Sequence, residues 1–374
     1  MDRFFIAACL LPGVLLSLLA QPVFAIELVG EKLELNGLIS LSYDYMDSDV
    51  TQAEADISTE DNLLHEEFGY GGNPSRIDIE GVIPVSDDKS FFYEGSKSVA
   101  WDGSRDTILG TRSYAAGIRG VFGDISIGRQ DTPFRTLGAQ FAILRTTIAH
   151  RHAVIGATTD KGNRLNRRAE KSILWTQSAP MDDGDIQWKI IYSQDSLRTA
   201  GDIDNDMRAV WGAGINRRAA NYTLALAHER WEKIYDSRIN ATRASIKRRF
   251  NSLELGLLFE NINQDMVPGA TDPATLDRNV YGFNVAYEAS DTLTYGVQIF
   301  TAESYANTRD TGATMYSIGA EKEFSSSFSG SIAYTRTKNE ANGAFQAIDG
   351  IRGDLGTLPG GMPTAYGVGL RYSF

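Results

Sequence analysis

Hydrophobic and polar side chains alternate with a period of two over most of this chain. In the first clear run, Leu33, Leu35, Gly37, Ile39, Leu41, Tyr43 and Tyr45 occupy one parity, and Lys32, Glu34, Asn36, Leu38, Ser40, Ser42 and Asp44 the other. Alternation of this kind predicts a β-strand with one apolar and one wet face. It returns at Ile77, Ile79 and Ile83, at Ile186, Trp188, Ile190 and Tyr192, at Leu253, Leu255, Leu257 and Phe259, and at Tyr281, Phe283, Val285 and Tyr287. Leu293, Tyr295, Val297 and Ile299 continue it, as do Gly330, Ile332 and Tyr334. The closing residues YGVGLRYSF carry the pattern to the last position, with Tyr366, Val368, Leu370, Tyr372 and Phe374 on one face. An edge strand this apolar is a liability in water, so the last strand is expected to pair on both sides and to rest its greasy face on apolar surroundings.

The connections alternate as well. Short turns such as VSDDKS at 85–90, GVFGD at 120–124, APMDDGD at 179–185, NRRAAN at 216–221 and EASDT at 288–292 follow every second strand, and long polar stretches at 47–74, 132–167, 262–277 and 337–363 lie between them. Strands of about ten residues with short turns at one end and long loops at the other predict an all-β fold: a transmembrane antiparallel β-barrel of about 16 strands. A soluble sandwich would have to hide the Tyr/Leu/Ile face of every strand in one core. The barrel leaves that face to lipid and expects the other face to be polar all the way round. Pairing of the last strand with the first abolishes the edge, which explains a chain that ends inside a strand.

The amino terminus points to export. Met1, Asp2 and Arg3 precede an uncharged Leu-rich run from Phe4 to Ala20, and Val23-Phe24-Ala25 fits the small-x-small rule, so residues 1–25 are expected to be a cleaved signal peptide and 26–374 the barrel domain. The one cysteine, Cys9, lies in that leader, so disulfides and cysteine-metal sites are excluded from the mature chain. No later run approaches 18 consecutive apolar residues, and no transmembrane helix is expected.

Three stretches, SRIDIEGVIP, TRSYAAGIRGVFGDISIGRQDTPF and the terminal YGVGLRYSF, resemble the corresponding parts of the Gram-negative general porins, the sixteen-stranded trimeric barrels of the outer membrane. The spacing agrees over the whole mature chain. The resemblance implies a water-filled channel for passive diffusion of small hydrophilic solutes and ions, placed in the cell outer membrane after passage through the periplasm. It implies a homotrimer in contact with outer-membrane lipid and lipopolysaccharide, and a terminal strand read by the outer-membrane insertion machinery. It also implies that the third external loop, about 132–167, folds into the barrel as the constriction, and that Arg76, Arg112 and Arg168 match wall arginines on the second, fourth and sixth strands.

Strand parity bears on these positions. Arg76 lies opposite Ile77 and Ile79, and Arg168 shares the parity of Ser172, so both are expected to face the lumen. Alternation around Tyr114 leaves Arg112 ambiguous. Arg129 has the parity of Ile125 and Ile127 and is expected to face outward at a subunit interface. The chain also departs from the family. Leu38 stands where many members carry a first-strand wall lysine, and between Asp131 and Asp160 there is no Asp or Glu. That stretch instead holds Arg135, Arg145, His150, Arg151 and His152. A constriction lined mostly by cations concentrates anions and repels cations, so a preference for anions is expected.

The net charge of −12 points the other way. Much of it lies in the first external loop, where Asp47, Asp49, Glu54, Asp56, Glu60, Asp61, Glu66 and Glu67 occur without a lysine or arginine. Salt screens such outer charges within about 8–10 Å, and the constriction is expected to dominate. Asp202, Asp204 and Asp206 open like a calcium loop, but Met207 stands where its glycine belongs. The HRH triplet has zinc-like residue types without a third ligand nearby, and no nucleophile elbow is present. No cofactor, metal or nucleic acid is called for. A substrate-specific channel for anionic solutes and an outer-membrane barrel enzyme are the alternatives; for the latter, His228 reads better as a strand residue near the membrane boundary than as a catalytic group.

Overall fold

The computed structural model describes residues 26–27, 33–57, 63–72, 74–101, 108–144, 147–150, 153–156, 164–194, 209–234, 237–266, 277–306, 308–347 and 355–374. Residues 1–25, expected to be a signal, lie outside this set, as do Asp202, Asp204 and Asp206. Sixteen long strands form one antiparallel sheet closed on itself. They are β1 (Glu34–Asp47), β2 (Arg76–Ser86), β3 (Lys89–Val99), β4 (Leu109–Gly120), β5 (Gly123–Asp131), β6 (Arg168–Met181), β7 (Gly184–Ser193) and β8 (Val210–Ala219). Then follow β9 (Tyr222–Ile234), β10 (Ser237–Phe250), β11 (Leu253–Met266), β12 (Arg278–Ser290), β13 (Leu293–Ala302), β14 (Ala313–Glu323), β15 (Phe328–Asn339) and β16 (Thr364–Ser373). Closure is made by β16 against β1, from Thr364 opposite Asp47 to Ser373 opposite Leu38. Phe374 sits just past the end of β16, yet it exchanges backbone hydrogen bonds with Gly37, N–H to carbonyl at 2.9 and 3.2 Å. The expected closing strand is thus present to its last residue.

The outward parity is the apolar one. Leu41, Tyr43, Ile127, Leu257, Phe259, Ile318, Tyr366, Val368 and Leu370 are all exposed on the outer surface, Ile127 to 63 %. Exposure of a whole belt of such residues is unstable in water and stable in lipid. Seven short turns, such as 121–122 and 182–183, fall at one end; the connections at the other end are longer, except that only residues 235–236 separate β9 from β10. The first long loop is not merely polar chain. Glu67–Gly71 adds a short strand along the upper half of β1, and a one-turn helix, α1 (Gln52–Ile57), is held by a capping box. Thr51 N–H and hydroxyl both donate to Glu54 at 2.8 Å, which holds the exposed Glu54 carboxyl below the usual range.

Two bulges disturb the alternation at positions that matter below. Between Ser113 and Thr111 the β4 strand carries Arg112 as an extra residue against β3. On β6, Glu170 and Lys171 lie between Ser172 and Ala169 where β5 has only Arg129, and Lys171 takes a φ of +47°. A bulge inserts one residue and re-aims its neighbours, so strict parity does not carry across it.

The interior departs from the expectation of an all-polar inner face. The extracellular half of β9–β14 turns Trp231, Ile239, Leu258, Ile262, Val280, Phe300 and Met315 inward, where they pack with Phe134, Leu137, Phe141, Val154 and Ile155 of the segment after β5. The hydrophobic core of this barrel therefore lies inside it, between wall and inserted loop. Ten- to fourteen-residue strands that must meet lipid outside and an apolar loop inside cannot keep a polar inner face along that half.

Candidate functional site

The third external loop begins at Thr132. Its side chain accepts the Arg135 N–H at 3.1 Å and caps helix α2 (Pro133–Phe141), which has proline in its first turn, where no N–H is needed. Helix α2 lies against β8, β9 and β10 inside the barrel, so the loop is folded inward. The wall makes room for it. A Cβ at Gly214 would stand 2.7 Å from Pro133 Cβ, and one at Gly256 would stand 2.9 Å from the Phe141 ring. Inward polar side chains then hold the loop strand by strand. Asn216 donates to Gln140 Oε1 at 2.9 Å, Asn284 to the Phe141 carbonyl at 2.7 Å and Gln298 to the Ala149 carbonyl at 2.6 Å. In the middle of this row sits a fully buried ion pair. Arg243 donates from Nε and Nη2 to Glu260 Oε2 at 2.7 and 2.5 Å and from Nη1 to the Phe134 carbonyl at 2.8 Å, under the Phe134 ring at 3.8 Å. Glu260 also accepts the Gly156 N–H at 2.8 Å.

With the loop fastened to β8–β14, the charged groups gather on the facing wall. Arg76 pairs with Asp78 at 2.7 Å, and Asp78 also accepts the Ser96 hydroxyl. Asp131 receives two cations, Arg135 from the start of the loop at 2.8 Å and Arg168 from β6 at 2.9 Å. Arg112 has Arg76, Arg135, Asp131 and Asp78 as its charged neighbours, and Lys189 of β7 has Asp131 and Glu94. Five cations thus share this wall with four carboxylates, Asp78, Glu80, Glu94 and Asp131. Below the loop opens a cavity of about 550 Å³ lined by Leu38, Arg76, Ile143, Leu144, Thr147 and the Glu321–Arg371 ion pair.

The structure brings together Arg76, Arg112, Arg135 and Arg168. The parity argument for Arg168 fails, because the β6 bulge lies between it and Ser172; its ion pair with Asp131 places it instead. Arg112, ambiguous by alternation, is the bulged residue itself. Arg129 lies across from the outward Tyr114, donates to the Arg112 carbonyl at 2.7 Å and pairs with Glu170. His150 is half-buried beside the inserted Ala149. Arg145, Arg151 and His152 lie outside the described residues. Between Asp131 and Asp160 the loop carries no carboxylate, and the strands supply the acidic groups of this wall, Asp78, Glu80, Glu94 and Asp131. Parity marks Asp78 and Lys189 as inward residues, yet only the closed barrel shows which charges each of them meets, Arg76 for Asp78, and Asp131 and Glu94 for Lys189. His228 faces outward beside Trp211, with ring centroids 5.4 Å apart.

A second loop also enters the barrel, which the sequence did not announce. After β15, Asn339 clamps Phe345 through both its N–H, at 2.7 Å, and its carbonyl, at 3.0 Å, while Thr337 donates to the Gln346 carbonyl at 2.8 Å. Ala347 and Leu355 then pack on Leu144, Ile148 and Ala149 of the constriction loop. Residues 345–347 of the stretch 337–363, polar in composition, are pinned inward by the polar inner residues at the top of β15.

A family model described as Gram-negative porin matches residues 13–342. Among solved structures, an anion-selective porin from Comamonas acidovorans superposes with a TM-score of 0.70 at 16% identity, covering 92% of this chain and 99% of that one. OmpT, an outer membrane protein of Vibrio cholerae, in its trimer form matches with a TM-score of 0.63 at 15% identity over 92% of this chain and 99% of that one. OmpF of Salmonella typhi, in complex with daunomycin, gives 0.63 at 14% identity over 94% and 100%. No curated protein matches the chain by sequence.

Proposed function

The chain belongs to the Gram-negative porin family, and from that premise we propose that its outer-membrane channel passes small hydrophilic solutes and ions with a preference for anions. The observation that carries the preference is the eyelet wall, where Arg76, Arg112, Arg135, Arg168 and Lys189 outnumber Asp78, Glu80, Glu94 and Asp131. Low-dielectric walls focus such an excess on the permeating ion, whereas the acidic outer loops act through screened water. Ions pass largely hydrated, so the cations act by potential and leave exit easy. The similarity to an anion-selective porin agrees with this reading. The site residues of the proposal are these five cations, together with His150 and with Arg145, Arg151 and His152 farther along the loop.

The test is the zero-current potential across a planar bilayer in a potassium chloride gradient. Chloride preference is expected, fading as salt rises, and Arg135→Glu is expected to shift the potential toward potassium. A wild-type channel that prefers potassium at low salt would refute the reading. The proposal is of a passive pore, so purified protein that conducts should leave peptide and ester substrates uncleaved. It further takes the mature chain, cleaved after Ala25, to be a homotrimer joined through the outward faces of the early strands and β5, where Arg129 lies, and its terminal strand to be what the insertion machinery reads.

A further inference from the structure

The inner wall holds two deeply buried arginines, and they differ in one respect. Arg243 has an acceptor for each of its nitrogens, as described above. Arg278, the first residue of β12 at the extracellular end, is only 4 % exposed, and none of its three guanidinium nitrogens meets an acceptor among the described residues. Glu260, the carboxylate that acts on it electrostatically, is already engaged by Arg243 and by the Gly156 N–H.

What surrounds Arg278 is an aromatic cage. Its Cζ lies 4.7 Å from the centroid of the Phe345 ring and 5.2 Å from that of Tyr305. Both rings stand on pinned backbone. Phe345 is clamped by Asn339, and the Tyr305 N–H donates to Thr311 Oγ1 at 2.9 Å. Ring faces stabilise the cation and fix its orientation, but they supply no acceptor in the guanidinium plane, where its five N–H groups point. Donors removed from water and left without an acceptor are costly.

We propose that Arg278 is an anion-binding site at the extracellular inlet, distinct from the eyelet, which takes a small monovalent anion, a halide or a carboxylate group, in the plane of the guanidinium. A planar fork held between two rings presents parallel N–H groups, the geometry that charge-assisted bonds to carboxylates use. The anion enters from the vestibule, between the loop that carries Tyr305 and the one that carries Phe345.

The test is anomalous diffraction from crystals of the wild-type protein soaked in sodium bromide. A bromide peak is expected in the plane of the Arg278 guanidinium, saturating at lower bromide than peaks on the exposed Arg336. The peak should be lost in Arg278→Gln and weakened in Arg278→Lys. Water or nothing at Arg278 in crystals that show bromide at the eyelet would overturn the proposal, and wild-type crystals alone decide it if neither variant assembles. The site stands apart from the selectivity reading: bromide at Arg278 in a channel that prefers potassium would sink that reading and leave this one.

Discussion

Replacement of Arg243 by methionine isolates what holds the constriction loop in the pore. The pair it forms with Glu260 is fully buried, and both partners also bind the loop, Arg243 through the Phe134 carbonyl and Glu260 through the Gly156 N–H. Removing one partner of a buried pair leaves a desolvated charge and costs about 3–5 kcal/mol. The barrel ladder is untouched by the change, so the loss falls on loop docking. At about 1.4 kcal/mol per tenfold, the ratio of released to docked loop should rise by roughly two to three orders of magnitude. Single-channel recording should then show larger and noisier openings, and a protease added from the loop side should cut between 132 and 167 in the variant while sparing the wild type. The double replacement Arg243→Met, Glu260→Leu removes both charges, and exchange of a buried pair for apolar side chains is close to neutral. It should recover most of the wild-type conductance. If Arg243→Met conducts and resists protease like the wild type, or if the double variant is as impaired as the single, the pair is not the anchor.

Three further outcomes follow from the same structure. Asp131→Asn frees Arg135 and Arg168 from their shared carboxylate and should raise chloride over potassium permeability at low salt; the difference should vanish near 1 M, where the screening length falls to about 3 Å, and a shift toward potassium would contradict the eyelet assignment. Leu257→Arg, in the middle of the outward face of β11, should destabilise the inserted barrel by about 2–4 kcal/mol in urea titrations from lipid vesicles, whereas Leu257→Ala should cost far less; equal costs would deny that this face meets lipid. Deletion of Phe374 removes two closing hydrogen bonds to Gly37 and should depress the yield of assembled protein in the outer membrane well beyond its effect on the stability of barrel folded in vitro; normal yield would show that the terminal residue is not read during assembly.

Period-two alternation by itself determined the strands, their outward face and the closure of β16 on β1, because a lipid-facing residue must be apolar whatever its neighbours are. The alternation of short turns and long loops likewise determined the strand number and direction, since both follow from local chain geometry. The inner face was decided by tertiary structure. A residue such as Leu258 or Phe300 reads in one strand as a break in the pattern, and becomes necessary only when Phe141 and Ile155, more than a hundred residues away in sequence, are laid against it. The same holds for the charges: Asp131 and Arg135 are four residues apart, but Arg168 joins them only because the pairing of β5 with β6 brings a distant segment to the same point. Bulges at Arg112 and Glu170 reverse the very alternation from which direction is read, and their cause lies in the neighbouring strand. Lipid imposes one rule on every outward position, whereas inside the barrel each side chain answers to whichever loop has folded in upon it.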